Sequence, residues 1–169
     1  MALVLSGSSG ISAGGTNWIL SPQSSGRFNL PYQPVFYAYN PSALSTSTAG
    51  TIFPFNTTRV NVGGHYSTST YKFTAPILGW YEFHAGLLYR HSGVDGYLEC
   101  SFYKNGANIG NRGQMYVRHD SSTAHCHSPM HHILQLAAGD TIDLRLAVRV
   151  GGDIYYGENL SYFSGKLIG

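Results

Sequence analysis

Five of the eight histidines crowd into fourteen residues: His119, His125, His127, His131 and His132, with Cys126 and Met130 among them. Imidazole and thiolate are the ligands that zinc, nickel and iron take most readily. On an extended strand His125 and His127 point to the same face, which makes them the candidate metal ligands. The other reading is a set of surface histidines that hydrogen-bond across a tyrosine-rich exterior. Calcium fits poorly, because Asp95, Asp120, Asp140 and Asp153 stand singly among turn residues and build no run of oxygen ligands. Catalysis has little to work with. The chain has no Gly-x-Ser-x-Gly elbow, no His-Glu-x-x-His and no phosphate-cradling glycine loop, and Glu82, Glu99 and Glu158 sit apart among aromatics. Glu82 and Glu99, on neighbouring strands, are the one pair with the makings of a glycosidase acid and base, but ion pairing or solvation is the commoner fate of such residues. The expectation is a non-enzymatic protein with no cofactor beyond a transition metal at the histidine cluster.

The elements that must position these residues are strands. Residues 33–40 alternate apolar and polar and end at Pro41. Further strands are expected at 51–55, 58–62, 71–74, 80–90, 97–104, 113–117, 124–136, 141–150 and 157–168, with breaks rich in Gly, Pro, Asn, Asp and Ser. No helical apolar period competes, so the fold class is all-β, a two-sheet sandwich with Greek-key connections. In 141–150 the residues Ile142, Leu144, Leu146, Val148 and Val150 share one face, which should be core. The last strand carries apolar groups on both faces and should be covered on both sides. At 169 residues, 43% hydrophobic and 11% charged, the chain can bury one core, with one domain at 33–169 and an extended arm at 1–32. A net charge of +2 with scattered Lys and Arg excludes a nucleic-acid footprint. No apolar run is long enough to insert in a membrane, and the first residues lack the features of a signal peptide. Cys100 and Cys126 pair only if the fold brings them together; as buried thiols they would otherwise act as small hydrophobes.

Six motifs occur in order: Asn61-Val62-Gly63-Gly64-His65-Tyr66, Phe73-Thr74-Ala75-Pro76, Gly79-Trp80-Tyr81-Glu82-Phe83, Lys104-Asn105-Gly106, Leu136-Ala137-Ala138-Gly139-Asp140 and Phe163-Ser164-Gly165. Together they resemble the globular head of complement C1q and the tumour-necrosis-factor-like superfamily over residues 33–169. The resemblance implies a jelly roll that closes as a homotrimer, with Tyr37, Tyr39, Tyr162 and Phe163 at the threefold interface. A His125/His127 pair on such an axis becomes six ligands.

The Gly/Ser-rich start and the phrase Ser25-Gly26-Arg27-Phe28-Asn29-Leu30-Pro31-Tyr32-Gln33-Pro34 resemble tail-fibre-like proteins of bacteriophages. That likeness implies a trimeric virion surface protein, made in the host cytoplasm. Its arm would dock on other tail or capsid proteins through Leu3, Leu5, Trp18 and Ile19. Its head would bind host-surface carbohydrate or protein, with Tyr116, His119, Tyr155 and Tyr156 as candidate contacts. The alternative is a capsid decoration protein that stabilises the head of the particle. A secreted C1q/TNF-like ligand is the third reading, and it needs an export route.

Overall fold

The computed structural model describes residues 21–22, 28–29, 32–42, 48–92, 96–117, 123–150, 153–155, 157 and 159–169. The arm residues Leu3, Leu5, Trp18 and Ile19, and the candidate contacts His119 and Tyr156, lie outside these. Within the described residues all regular structure is β, and no helix is long and apolar enough to cross a membrane. The strands are β1 (Ser21–Pro22), β2 (Phe28–Asn29), β3 (Val35–Tyr39), β4 (Thr57–Val62), β5 (Tyr66–Ser67), β6 (Lys72–Thr74) and β7 (Gly79–Ser92). They continue with β8 (Gly96–Lys104), β9 (Ala107–Val117), β10 (Thr123–Leu136), β11 (Thr141–Val150), β12 (Asp153–Tyr155) and β13 (Tyr162–Leu167).

Two sheets face each other. The six-stranded sheet runs β10-β7-β13-β3-β4, with β12 also paired to β7, and the five-stranded sheet runs β5-β6-β11-β8-β9. The chain crosses from one sheet to the other between β7 and β8, again between β9 and β10, and back between β10 and β11, as a jelly roll requires. Period-two alternation decides which side chains meet in the middle. Phe36, Tyr81, Phe83 and Phe163 point inward from the first sheet and Tyr66, Phe73 and Phe102 from the second, all essentially excluded from solvent. Their rings pack face to face and edge to face, Phe36 lying 4.8 Å from Tyr66 and 4.9 Å from Phe163. Such pairs add about 0.5–1.5 kcal/mol each beyond the area they bury. The buried Tyr66 hydroxyl donates to the Phe55 carbonyl at 2.9 Å, which satisfies the one polar atom its ring brings inside.

Four expectations change in detail. Residues 51–55 form no strand; a single bridge joins Ile52 to Arg145, and the segment runs along β11 through bonds from Phe53 N to Leu144 O and Leu146 N to Thr51 O. It serves to bury Phe53 and Phe55. In β11 a bulge between Leu146 and Val148 inserts one residue against Cys100 and Glu99 of β8. A one-residue slip reverses every later side chain, so Ile142, Leu144 and Leu146 are core while Val148 is 39% exposed. The expected strand at 157–168 is a bridge between Gly157 and Ser161 followed by β13. The expected strand at 113–117 starts earlier, at Ala107, because Asn105 and Gly106 both take positive φ (51° and 82°) and close a tight hairpin from β8.

Cys100 and Cys126 form no disulfide. Cys100 is fully buried, its Sγ 3.1 Å from the Met130 Sδ. Burial, aided by the negative charge of Glu99, pushes its thiol up to about 12, so it behaves as an inert core residue.

Candidate functional site

The outer face of the six-stranded sheet gathers most of the residues with chemical or binding potential. On β7 the inward residues are Tyr81, Phe83, Ala85, Leu87 and Tyr89; the alternate positions Trp80, Glu82, His84 and Leu88 therefore face out. Antiparallel register sets β10 residues beside them: Ile133 opposite Glu82, His131 opposite His84 and His127 opposite Leu88. On the other side β13 places Lys166 opposite Glu82 and Ser164 opposite His84. Neighbouring β3 places Val35 beside Lys166, Tyr37 beside Ser164 and Tyr39 beside Tyr162.

Glu82 is the centre of a polar cluster. Its Oε1 lies 3.0 Å from His131 Nε2 and 3.2 Å from His84 Nε2, while its Oε2 receives the Lys166 ammonium at 2.9 Å. The two imidazoles stack with centroids 4.6 Å apart. Donation from Lys166, then from His131 and His84, holds the Glu82 carboxyl at about 2, against the opposing effect of desolvation. The carboxylate is therefore ionised across the whole physiological range. Glu82, His84 and His131 offer one ligand atom each within 4.8 Å of one another. Beside them a shallow depression of about 260 Å³ opens between Val35, Tyr37, Val60, His84, Ser164 and Lys166.

The same face is apolar and aromatic around this cluster. Tyr37 and Tyr162 stack at 5.3 Å, and His127 stacks on Tyr162 at 6.2 Å. Gly86 lies beneath that pair: a Cβ there would stand 2.6 Å from both His127 Cε1 and Tyr162 Cε1. Trp80 is 49% exposed and Ile133 44%.

Of the residues expected at a trimer interface, Tyr37, Tyr39 and Tyr162 lie half-buried on this face. Phe163 does not. As the odd neighbour of Tyr162 it turns inward, is fully buried, and packs on Phe36, Phe83 and Phe102 of its own chain. Of the expected metal pair, His127 is exposed on β10 opposite Leu88, and His125 pairs with Arg90. The three-residue cluster instead uses His131 from the same strand with Glu82 and His84 from β7. The sequence signal for it was the Glu-x-His spacing at 82 and 84, which becomes meaningful only once β10 is known to be the neighbour. His132 faces the other way, and burial, then the neighbouring His131, lowers its imidazole below its usual value.

Two of the expected surface contacts fall among the described residues. Tyr155 is half-buried on β12, where Arg90 donates to its hydroxyl and lies over its ring, 5.4 Å from the centroid. Tyr116 belongs to β9 on the other sheet. The outer face of that second sheet has its own charged group, Asp143, fully buried and gripped by Arg145 at 2.6 and 3.0 Å. The Arg145 guanidinium also lies over the Tyr103 ring at 4.4 Å, and Lys72 Nζ stands 3.9 Å from Asp143 Oδ2.

Known structures share the fold at low sequence identity. The globular domain of zebrafish complement 1qA aligns with a TM-score of 0.63 at 15% identity, covering 81% of this chain and 98% of that one. Eiger TNF from S. frugiperda aligns at 0.63 and 14%, covering 82% and 94%. Murine APRIL aligns at 0.60 and 11%, covering 80% and 99%. Among curated proteins none matches the chain by sequence. The C1q domain family matches residues 35–168, the stretch that builds both sheets from β3 to β13, and the chain belongs to that family.

Proposed function

We propose that this protein is a non-enzymatic binding module that assembles as a homotrimer through the outer face of its six-stranded sheet. The observation that carries this reading is the composition of that face. Tyr37, Tyr39 and Tyr162 are half-buried there, with Trp80, Val60 and Ile133 wet beside them in a single chain. Exposed aromatic and apolar residues gathered around a polar centre in this way mark an interaction site, and β3 and β13, at the centre of the sheet, are the first and last strands of the main sandwich. A trimer presents three equal copies of whatever weak site its exposed loops hold, and avidity multiplies their strength.

The finer reading is a virion surface protein, tail-fibre-like, whose residues 1–32 dock on other virion proteins while the head binds host-surface carbohydrate or protein. It is supported by the Gly26-Arg27-Phe28-Asn29-Leu30-Pro31-Tyr32-Gln33-Pro34 lead-in. The second reading, a capsid decoration protein, uses the same trimer and arm without a receptor site.

Equilibrium sedimentation of the full chain tests the assembly: three chains per particle are expected, and a stable monomer with a cooperative melt overturns it. Labelling the chain on its parent particle separates the two placements. A few copies at the tail indicate adhesion and hundreds over the shell indicate decoration. Deletion of residues 1–26 is expected to abolish attachment and leave the trimer intact.

A further inference from the structure

Two imidazole nitrogens and one carboxylate oxygen converge where β7 meets the edge strand β10, supplied by adjacent strands in fixed register. We propose that Glu82, His84 and His131 form a binding site for a divalent transition metal of the zinc class, complete within one chain. Three protein ligands of this kind, with a fourth position open, are a common zinc arrangement. Donor atoms on a tetrahedral zinc stand about 3.3 Å apart, given zinc–ligand bonds of about 2.0–2.1 Å. Both nitrogens already lie 3.0 and 3.2 Å from the same carboxylate oxygen.

The other carboxylate oxygen strengthens the assignment. Lys166 holds Oε2 at 2.9 Å, which leaves Oε1 facing the histidines and fixes the carboxylate orientation, as outer partners of metal ligands do. The His84 and His131 side chains are 45% and 49% exposed, so small rotations bring both Nε2 atoms onto one ion, and the adjoining depression gives it a way in. Two imidazoles and one oxygen suit zinc, cobalt(II) or nickel(II). Calcium and magnesium ask for six or more oxygens or several retained waters.

All three ligands come from one chain, and they lie on the face proposed to close the trimer, so their exposure and the way in are those of the separate chain. The experiment uses the untagged full-length chain, stripped with chelator and titrated with Co(II), followed by zinc competition. One Co(II) per chain is expected, with the visible absorption of four-coordinate cobalt, discharged by zinc. His84→Ala and His131→Ala are each expected to weaken binding by more than about 100-fold, beyond the 10–100-fold seen for outer partners. Glu82→Gln should weaken it by at least about tenfold, and His127→Ala should leave it unchanged. Thermal melts establish that each variant is folded. A wild-type chain that binds no cobalt overturns the proposal. So does binding that survives His84→Ala and His131→Ala, or that only a His125→Ala/His127→Ala double variant removes. Sedimentation of the same samples reads the oligomer independently.

Discussion

At the scale of single residues, several family motifs reduce to contacts that admit only one side chain. In Phe163-Ser164-Gly165 the glycine lies where a Cβ would stand 2.5 Å from Phe83 Cδ1 and 2.8 Å from Phe36 Cε1. Those rings are locked among other aromatics and cannot move aside, so the hydrogen at position 165 lets them press against the backbone of β13. Gly165→Ala is expected to destabilise the fold by about 1–3 kcal/mol through overpacking, measured by urea denaturation. Phe163→Ala empties the space on the other side of the same contact and should cost about 3–5 kcal/mol. Asn61 has a comparable local duty. Its side chain donates to the Tyr66 carbonyl at 2.9 Å and accepts from the Tyr66 amide at 3.1 Å, bracing a turn whose Gly63 and Gly64 both take positive φ.

Between elements, two motifs far apart in the chain turn out to be one structure. Asn105, at the β8–β9 hairpin, accepts from the Thr141 amide and donates to Asp140 Oδ1, both at 2.8 Å. Asp140 in turn accepts from the Ala137 amide and receives the Lys104 ammonium, again at 2.8 Å. Lys104-Asn105-Gly106 and Leu136-Ala137-Ala138-Gly139-Asp140 thus fasten the β8–β9 hairpin to the β10–β11 turn. Lys104, then Asn105 and the Ala137 amide, hold the Asp140 carboxyl at about 2, below its ordinary 3.8. A folded-state value below the unfolded one favours the fold above about pH 4, and that contribution disappears as pH falls through about 2. The wild-type melting temperature is therefore expected to drop between pH 4 and pH 2 more steeply than that of Asp140→Asn. Parallel profiles for the two proteins would show that this carboxylate does not couple to folding.

For the whole molecule, the central question is what covers the outer face of the six-stranded sheet. Val60 and Ile133 are 38% and 44% exposed in one chain, so replacing either by Asp should change the stability of that chain by no more than about 0.5 kcal/mol. In an assembled trimer the same carboxylates would be driven into an apolar contact, where an unpaired charge is strongly unfavourable. Val60→Asp/Ile133→Asp is accordingly expected to sediment as a folded monomer where the wild type sediments as a trimer. Unchanged association of the double variant would place the interface elsewhere.

The all-β class, most strand positions and the jelly-roll family were legible before folding, because period-two alternation and turn residues are local properties that each segment carries alone. The family resemblance grouped Tyr37, Tyr39, Tyr162 and Phe163 at a threefold interface, and the first three lie half-buried on one outward face. The sequence could not place Phe163, whose inward turn follows from its pairing with Ala38 and Ala85 on the neighbouring strands, nor foresee the extra residue in β11 that turns Val148 outward. The Glu82–His84–His131 cluster was beyond its reach for the same reason. Strand neighbours and their register are set by how two sheets bury one core, and only that packing brings residues 82 and 131 to the same point.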